Sequence, residues 1–218
     1  MNPKKQPLLI DVLLDRNFLE KHFEGVTGVT FHPGENIFKQ GTPLTHLVII
    51  RKGIVKVIFN YLGKSLALLP VTAGQLIGSP GFLTDNRHHF TVVAMGSVTV
   101  DFLPVENYRQ LLLSEPEFAL QAIRYLNRIH TKTYQRLVSL TMKSMYGRVA
   151  DTLLMMADDL YHSLTFDVIF SRQDLADFSN LSKESVVRII TAFANDGLIN
   201  AKGRHFEILD RKRLEQIE

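Results

Sequence analysis

Ser171-Arg172-Gln173-Asp174-Leu175-Ala176-Asp177-Phe178-Ser179-Asn180-Leu181-Ser182-Lys183-Glu184-Ser185-Val186-Val187-Arg188-Ile189-Ile190 is the stretch that decides the fold. Ser171 followed three residues later by Asp174 is a capping box, in which the serine oxygen takes the amide of the third residue and the acid reaches back. The pattern predicts a helix running to Phe178 and a turn at Asn180-Leu181. Ser182 to Ser185 then caps a second helix that runs to about Asn195. Asp196-Gly197 ends it, with glycine where a left-handed residue is wanted. Leu198-Ile199-Asn200, Lys202-Gly203-Arg204 and His205-Phe206-Glu207-Ile208-Leu209 follow as strand, turn and strand. Two helices across a tight turn, followed by a basic hairpin, predict a winged helix-turn-helix.

Upstream, Arg148 to Asp159 reads as a helix, and Tyr146-Gly147 as the break before it. From Glu117 to Met145 there is neither proline nor glycine. Ala119, Ile123, Leu126, His130, Thr133, Leu137 and Leu140 recur at alternating spacings of four and three, the heptad seam of a helix that packs on a copy of itself. The alternative for the same pattern is an amphipathic helix lying on its own barrel. Pro104 stands at a helix start, with a short helix from Val105 to Ser114 ended near Glu115-Pro116.

From about Phe31 to Leu103 the chain changes period. Leu47–Ile50, Ile54–Phe59, Leu66–Leu69, Thr91–Ala94 and Val98–Phe102 are β-branched or aromatic runs. Gly34, Gly41, Gly53, Gly63, Gly74, Gly78, Gly81 and Gly96 fall between them at expected turns. Many short, evenly spaced strands predict a barrel or sandwich.

Composition narrows the function. The 218 residues contain no cysteine, which excludes disulfides, thiolate zinc, iron–sulfur clusters and cysteine nucleophiles. No apolar stretch approaches the ~20 residues of a membrane span. Asp11, Asp15 and Arg16 interrupt the only early apolar run, so a cytoplasmic protein without a secretory leader is expected. After Leu140 there are ten basic and twelve acidic side chains, so DNA affinity cannot come from bulk charge and needs a local patch. Lys183 to Arg213 supplies it, with seven basic residues against four acidic.

Within that patch, Val186, Ile189, Ile190 and Phe193 form the inward side of the second helix. Lys183, Glu184, Val187 and Arg188 are left facing out. Arginine can fork onto guanine O6 and N7, and a carboxylate can accept from cytosine N4, so Arg188 and Glu184 are the expected base readers. An ordinary surface pair four residues apart is the bland alternative. Val187 offers only an apolar contact, as to a thymine methyl. Ser171, Gln173, Ser182 and Ser185 stand at helix beginnings, where side chains and amides suit phosphate oxygens as well as caps. Lys202 and Arg204 sit on the expected wing.

In this order, the pieces resemble the cyclic-AMP receptor protein/FNR family of bacterial regulators over nearly the whole chain. The resemblance rests on Phe31-His32-Pro33-Gly34-Glu35, Gln40-Gly41, Arg51-Lys52-Gly53, Gly74-Gln75-Leu76-Ile77-Gly78, Gly147-Arg148-Val149-Ala150-Asp151-Thr152-Leu153-Leu154, the opening stretch and Gly197-Leu198-Ile199. It implies an α+β protein with an N-terminal cyclic-nucleotide-binding-like β-roll over 1–116, a dimerisation helix over 117–145 and a winged helix-turn-helix over 146–218. It also implies a homodimer on an inverted-repeat site in double-stranded DNA, working with RNA polymerase.

The departures concern the effector. The family's cyclic-nucleotide cassette has a Gly-Glu-Leu run and an Arg-Ser pair. Here Gly78-Ser79-Pro80 and His88-His89 stand at those places, with Arg87 one position away. A histidine does not reproduce a bidentate arginine clamp, which argues against cyclic AMP. Thr133 matches the threonine that faces the nucleotide from the dimer helix, while Tyr134 replaces a small serine. Gly78, Ser79, Arg87, His88, His89, His130, Thr133 and Tyr134 are therefore the candidate effector residues, for an effector the sequence leaves unidentified. Strand alternation sends one of His88 and His89 inward and the other outward, as ordinary lip residues or as haem or metal ligands. His130 either sets register in the seam or faces a ligand. Two further readings remain: a metal-dependent cupin-like enzyme using the histidine pair, and a DNA-binding protein of the same fold without an effector.

Overall fold

The structure is a computed structural model that describes residues 28–218; Asp11, Asp15 and Arg16 lie outside the described residues. These residues divide into two compact units, 28–60 with 71–132 and 61–70 with 133–218.

Residues 28–104 form a β-roll of two four-stranded sheets, of which the strand Lys64–Thr72 falls mostly within the second unit. One has the order β1 (Gly28–Phe31), β8 (Val98–Pro104), β3 (His46–Lys52), β6 (Leu76–Ile77). The other has the order β2 (Asn36–Phe38), β7 (Thr91–Ala94), β4 (Ile54–Tyr61), β5 (Lys64–Thr72). All the expected strand runs are strands. The roll starts earlier than expected, at Gly28 rather than about Phe31, because Gly28 to Phe31 pair antiparallel with Asp101 to Val98. That short strand, like β2 and β6, exists through its partner and carries too few residues to show a period of its own.

Two glycines are required by space. A Cβ on Gly53, whose φ is +92°, would sit 2.5 Å from the Ser97 carbonyl oxygen. Gly81 lies in a short 3₁₀ turn over Ser79–Gly81, and its Cβ would sit 1.8 Å from the Arg87 carbonyl oxygen. Gly81 is thus a close-approach glycine within that turn, not one whose φ is positive.

Helix α1 (Val105–Ser114) begins after Pro104 and ends at Glu115 as expected. Its Tyr108 and Leu111 join Leu47, Ile49 and Leu103 of the roll with Phe118, Ala122 and Tyr125 of α2 (Pro116–Met142) in one core. Tyr125 locks the join: its hydroxyl donates to the Leu76 carbonyl at 2.8 Å and accepts from the Leu76 amide at 3.1 Å. Burial of the phenol pushes its pKa up to about 12.

The expected break at Tyr146-Gly147 is misplaced. α2 ends at Met142, and α3 (Met145–Met155) already contains Gly147. Ser144 makes the break by capping α3, accepting from the Gly147 amide at 3.3 Å and donating to the Glu218 carbonyl. Gly147 is small because the chain's end passes beside it, with the Glu218 carbonyl carbon 2.8 Å from where a Cβ would stand.

The second unit continues through a π-helical turn (Met156–Tyr161), β9 (Thr165–Asp167), α4 (Arg172–Ser179), α5 (Lys183–Asn195), β10 (Ile199–Lys202), β11 (His205–Ile208) and α6 (Arg211–Glu215). Both expected serine caps are present, and Asp174 completes the box on α4. Asn180 and Gly197 take the left-handed conformation that ends each helix. The wing sheet has a third strand the sequence hid: the order is β10-β11-β9. β9 has only three residues, and Phe166 holds it by stacking on Tyr161 at 4.8 Å and Phe206 at 5.9 Å. Among the described residues no helix is long and apolar enough to cross a membrane.

Candidate nucleic-acid interface

The two faces of α5 separate cleanly. Val186, Ile189, Ile190 and Phe193 are buried, while Lys183, Glu184, Val187 and Arg188 are exposed and Ser185 is half-buried. The inward side docks α5 on the rest of the unit, which leaves the outward side as a rigid platform carried on a helix. The Glu184 carboxylate is held below its usual pKa, chiefly by its own backbone amide at the helix start and then by the Ser182 hydroxyl. It is therefore a charged acceptor aimed by the cap.

The residues at the helix beginnings are already engaged with one another. Ser171 Oγ donates to Asp174 Oδ2 at 2.8 Å, and Gln173 Nε2 donates to Asp177 Oδ1 at 2.9 Å. Ser182 Oγ donates to Ser185 Oγ at 3.1 Å and accepts from the Ser185 amide at 3.2 Å. Capping is thus part of what these side chains do. Buried Ser179 donates to Thr152 at 3.1 Å, tying α4 to α3.

At the wing, Gly203 with a φ of +59° makes the turn between Lys202 and Arg204, and all three are exposed. Sequence reasoning missed what holds this turn. Arg172 Nη2 donates to the Gly203 carbonyl at 2.8 Å, and its guanidinium lies 4.5 Å from the centroid of the Phe206 ring. Burial lowers the Arg172 pKa from its ordinary value. The one available signal was weak: Leu175 and Ala176 stand one turn on from Arg172, where an acid would have made an ordinary surface pair. Arg148 makes a comparable clasp, Nη1 donating to the Asn180 carbonyl at 3.4 Å.

The candidate effector residues fall on two elements. Gly78, Ser79, Arg87, His88 and His89 lie on the loop between β6 and β7, where Gly78 is buried with a φ of +118°. Arg87 Nη1 donates to the Gly41 carbonyl at 2.7 Å. The histidines alternate as expected. His88 turns inward and stacks on Phe38 at 3.8 Å, while His89 faces out with Nε2 2.9 Å from Asp85 Oδ1. That contact is the main cause lowering the Asp85 pKa. His130, Thr133 and Tyr134 lie on exposed positions of α2.

Burial of His88 lowers its pKa, and its Nδ1 has no hydrogen-bond partner. A histidine whose folded pKa is depressed destabilises the fold on acidification, because below ~6.5 the unfolded chain takes up the proton first. The thermal midpoint should therefore fall as pH drops through that value, and His88→Phe should fall less. Equal losses in the two proteins would remove His88 as the cause.

Comparisons with known proteins agree over most of the chain. A family described as the cyclic nucleotide-binding domain matches residues 28–115, and the Crp-like helix-turn-helix domain matches residues 147–217. The transcriptional activator protein anr of Pseudomonas aeruginosa is 25% identical over 182 residues, 81% of this chain and 74% of that one. The cAMP-activated global transcriptional regulator CRP of Haemophilus influenzae is 27% identical over 169 residues, 75% of each chain. Among solved structures, FixK2 from Bradyrhizobium japonicum superposes with a TM-score of 0.80 at 18% identity, covering 88% of this chain and 97% of that one. A CooA mutant from Carboxydothermus hydrogenoformans gives 0.77 at 16%, covering 97% and 95%. These two likenesses speak for the fold. The cupin-like enzyme reading finds no support in any of these relatives.

Proposed function

The chain belongs to the Crp/Fnr family of bacterial DNA-binding transcription regulators, and from that premise we propose that it binds an inverted repeat as a homodimer under control of an effector in the β-roll. It is a regulator and not an enzyme. The observation that carries the DNA reading is the division of α5, with four exposed candidate contacts opposite four buried apolar residues. In this reading, Arg188 and Glu184 read a G·C pair in each half-site and Val187 touches a neighbouring thymine methyl. Lys183, Ser171, Gln173, Ser182, Ser185, Lys202 and Arg204 hold the phosphates, the hydroxyls sharing their capping bonds with the DNA.

The working division is a sensing roll over 1–116, a dimer helix over 117–145 and a reading domain over 146–218. The protein works in the cytoplasm and meets RNA polymerase on the promoter. Effector binding shifts the spacing of the two reading helices only by as much as it discriminates between the two arrangements.

Cyclic AMP fits this roll poorly. Arg87 is committed to the Gly41 carbonyl, and His88 is turned against Phe38, so neither presents a fork to a cyclic phosphate. Binding of a labelled inverted repeat, followed by fluorescence anisotropy, tests these points together. Cyclic AMP should leave the DNA affinity unchanged; a several-fold tightening would restore a cyclic-nucleotide clamp. Lys202→Ala and Arg204→Ala should weaken all sequences alike and each reduce the salt slope by about 1. An unchanged slope would take the wing off the DNA.

A further inference from the structure

The lower part of α2 carries a buried cation that DNA reading does not use. Arg136 is 6% exposed and Ser139, one helical turn on, is 4% exposed. Arg136 Nε donates to the Leu68 carbonyl of β5 at 3.2 Å. Its Nη2 has no hydrogen-bond partner, and neither has Ser139 Oγ. Residues three apart on a helix are neighbours on its surface, so the two idle groups share one face.

The charges around them do not balance. Burial pushes the Arg136 pKa down to about 10, with Asp151 acting in the opposite direction, so the guanidinium is charged at neutral pH. Asp151, however, takes Lys143 Nζ at 2.8 Å. Arg136 and Lys143 contribute two positive charges and Asp151 one negative, which leaves a net charge of one, positive. The guanidinium thus shares its only counter-charge with Lys143 and has no acceptor for Nη2, an arrangement folded proteins seldom leave unmet.

We propose that Arg136 and Ser139 form a binding site for a small oxyanion, a phosphoryl or carboxylate group. Arg136 Nη2 donates to one of its oxygens and Ser139 Oγ donates to another. Because Nε remains on the Leu68 carbonyl, the anion is held by one edge nitrogen plus the serine, and not by the two-nitrogen fork of an unencumbered arginine. The bound group would also steady the guanidinium that ties β5 to α2.

The test uses the full chain without DNA, so its result leaves the DNA reading untouched. Inorganic phosphate replaces chloride at constant ionic strength and pH while the thermal midpoint is followed, and acetate is run in parallel. A ligand that binds only the folded state raises the midpoint progressively once its concentration exceeds Kd. The wild type should show that rise with one of the two anions, which identifies the phosphoryl or the carboxylate class. Arg136→Met should show none, and Ser139→Ala should need several-fold more anion for the same rise. If Arg136→Met does not fold, the Ser139→Ala displacement decides alone. Parallel rises in wild type and both variants would mean a general salt effect and overturn the site. No rise in the wild type would mean that water satisfies the two groups, and would overturn it as well.

Discussion

Arg188→Ala is expected to abolish sequence preference at one base pair of each half-site while leaving the fold intact. Arg188 is exposed on α5, and the buried side of the helix is made by Val186, Ile189, Ile190 and Phe193. Its truncation should therefore leave thermal stability within the range of ordinary surface changes, about ±0.5 kcal/mol. On DNA the loss is larger, because a bidentate arginine–guanine contact is worth ~1–3 kcal/mol and a two-fold dimer makes it twice. The specific complex should thus weaken by about 2–6 kcal/mol, while binding to unrelated sequence changes little. Titration of matched and mismatched duplexes at one salt concentration checks this. A uniform loss on both duplexes would make Arg188 a phosphate contact and move the reading face elsewhere.

The second large effect concerns assembly. Along α2, Phe118, Ala122 and Tyr125 belong to the core of their own chain. Ile123 and Leu137, two heptads apart, are instead 54% and 58% exposed. One stripe of α2 thus lies on its own roll, the heptad stripe stays exposed at Ile123 and Leu137, and we propose that a second copy covers it. Ala119, Leu126 and Leu140 are half-buried at the margins of that stripe, and His130 and Thr133 are its exposed polar members. Placing aspartate at both Ile123 and Leu137 would bury unpaired charge in the seam, a penalty of several kcal/mol per ion. Sedimentation should then give the mass of one 24.8 kDa chain where the wild type gives twice that. Affinity for the inverted repeat should fall by ~10³ or more, toward the level of unspecific binding. A monomeric wild type that still binds its repeat tightly would remove the dimer from the account.

These cases show why some parts of the molecule could be read from the sequence. The caps of α4 and α5, Asn180, Gly197 and the inward face of α5 are set by residues within a turn or two of each other, and each was legible. The helix that carries the heptad stripe was legible for the same reason. β1, β9 and the position of Gly147 were not, because each depends on a distant partner: β8, Phe206 and the chain's last residues. Arg172 and Arg136 were illegible too. Their meaning comes from the Gly203 and Leu68 carbonyls, which lie far along the chain. The loop bearing Arg87 and His88 announced its departure from a cyclic-nucleotide clamp but not what the roll binds instead, since a ligand's shape is not written in any local pattern.

In the proposed function one exposed face of α5, presented twice by a dimer, reads DNA. Selection from a random-sequence DNA pool, run in parallel with wild type and Arg188→Ala, tests it most directly. The wild type should recover an inverted repeat with half-sites about one helical turn, ~10 bp, apart and a fixed G·C pair in each. The variant should recover the same spacing with that pair relaxed. Recovery of no palindrome by the wild type, or of an identical motif by both proteins, would contradict it.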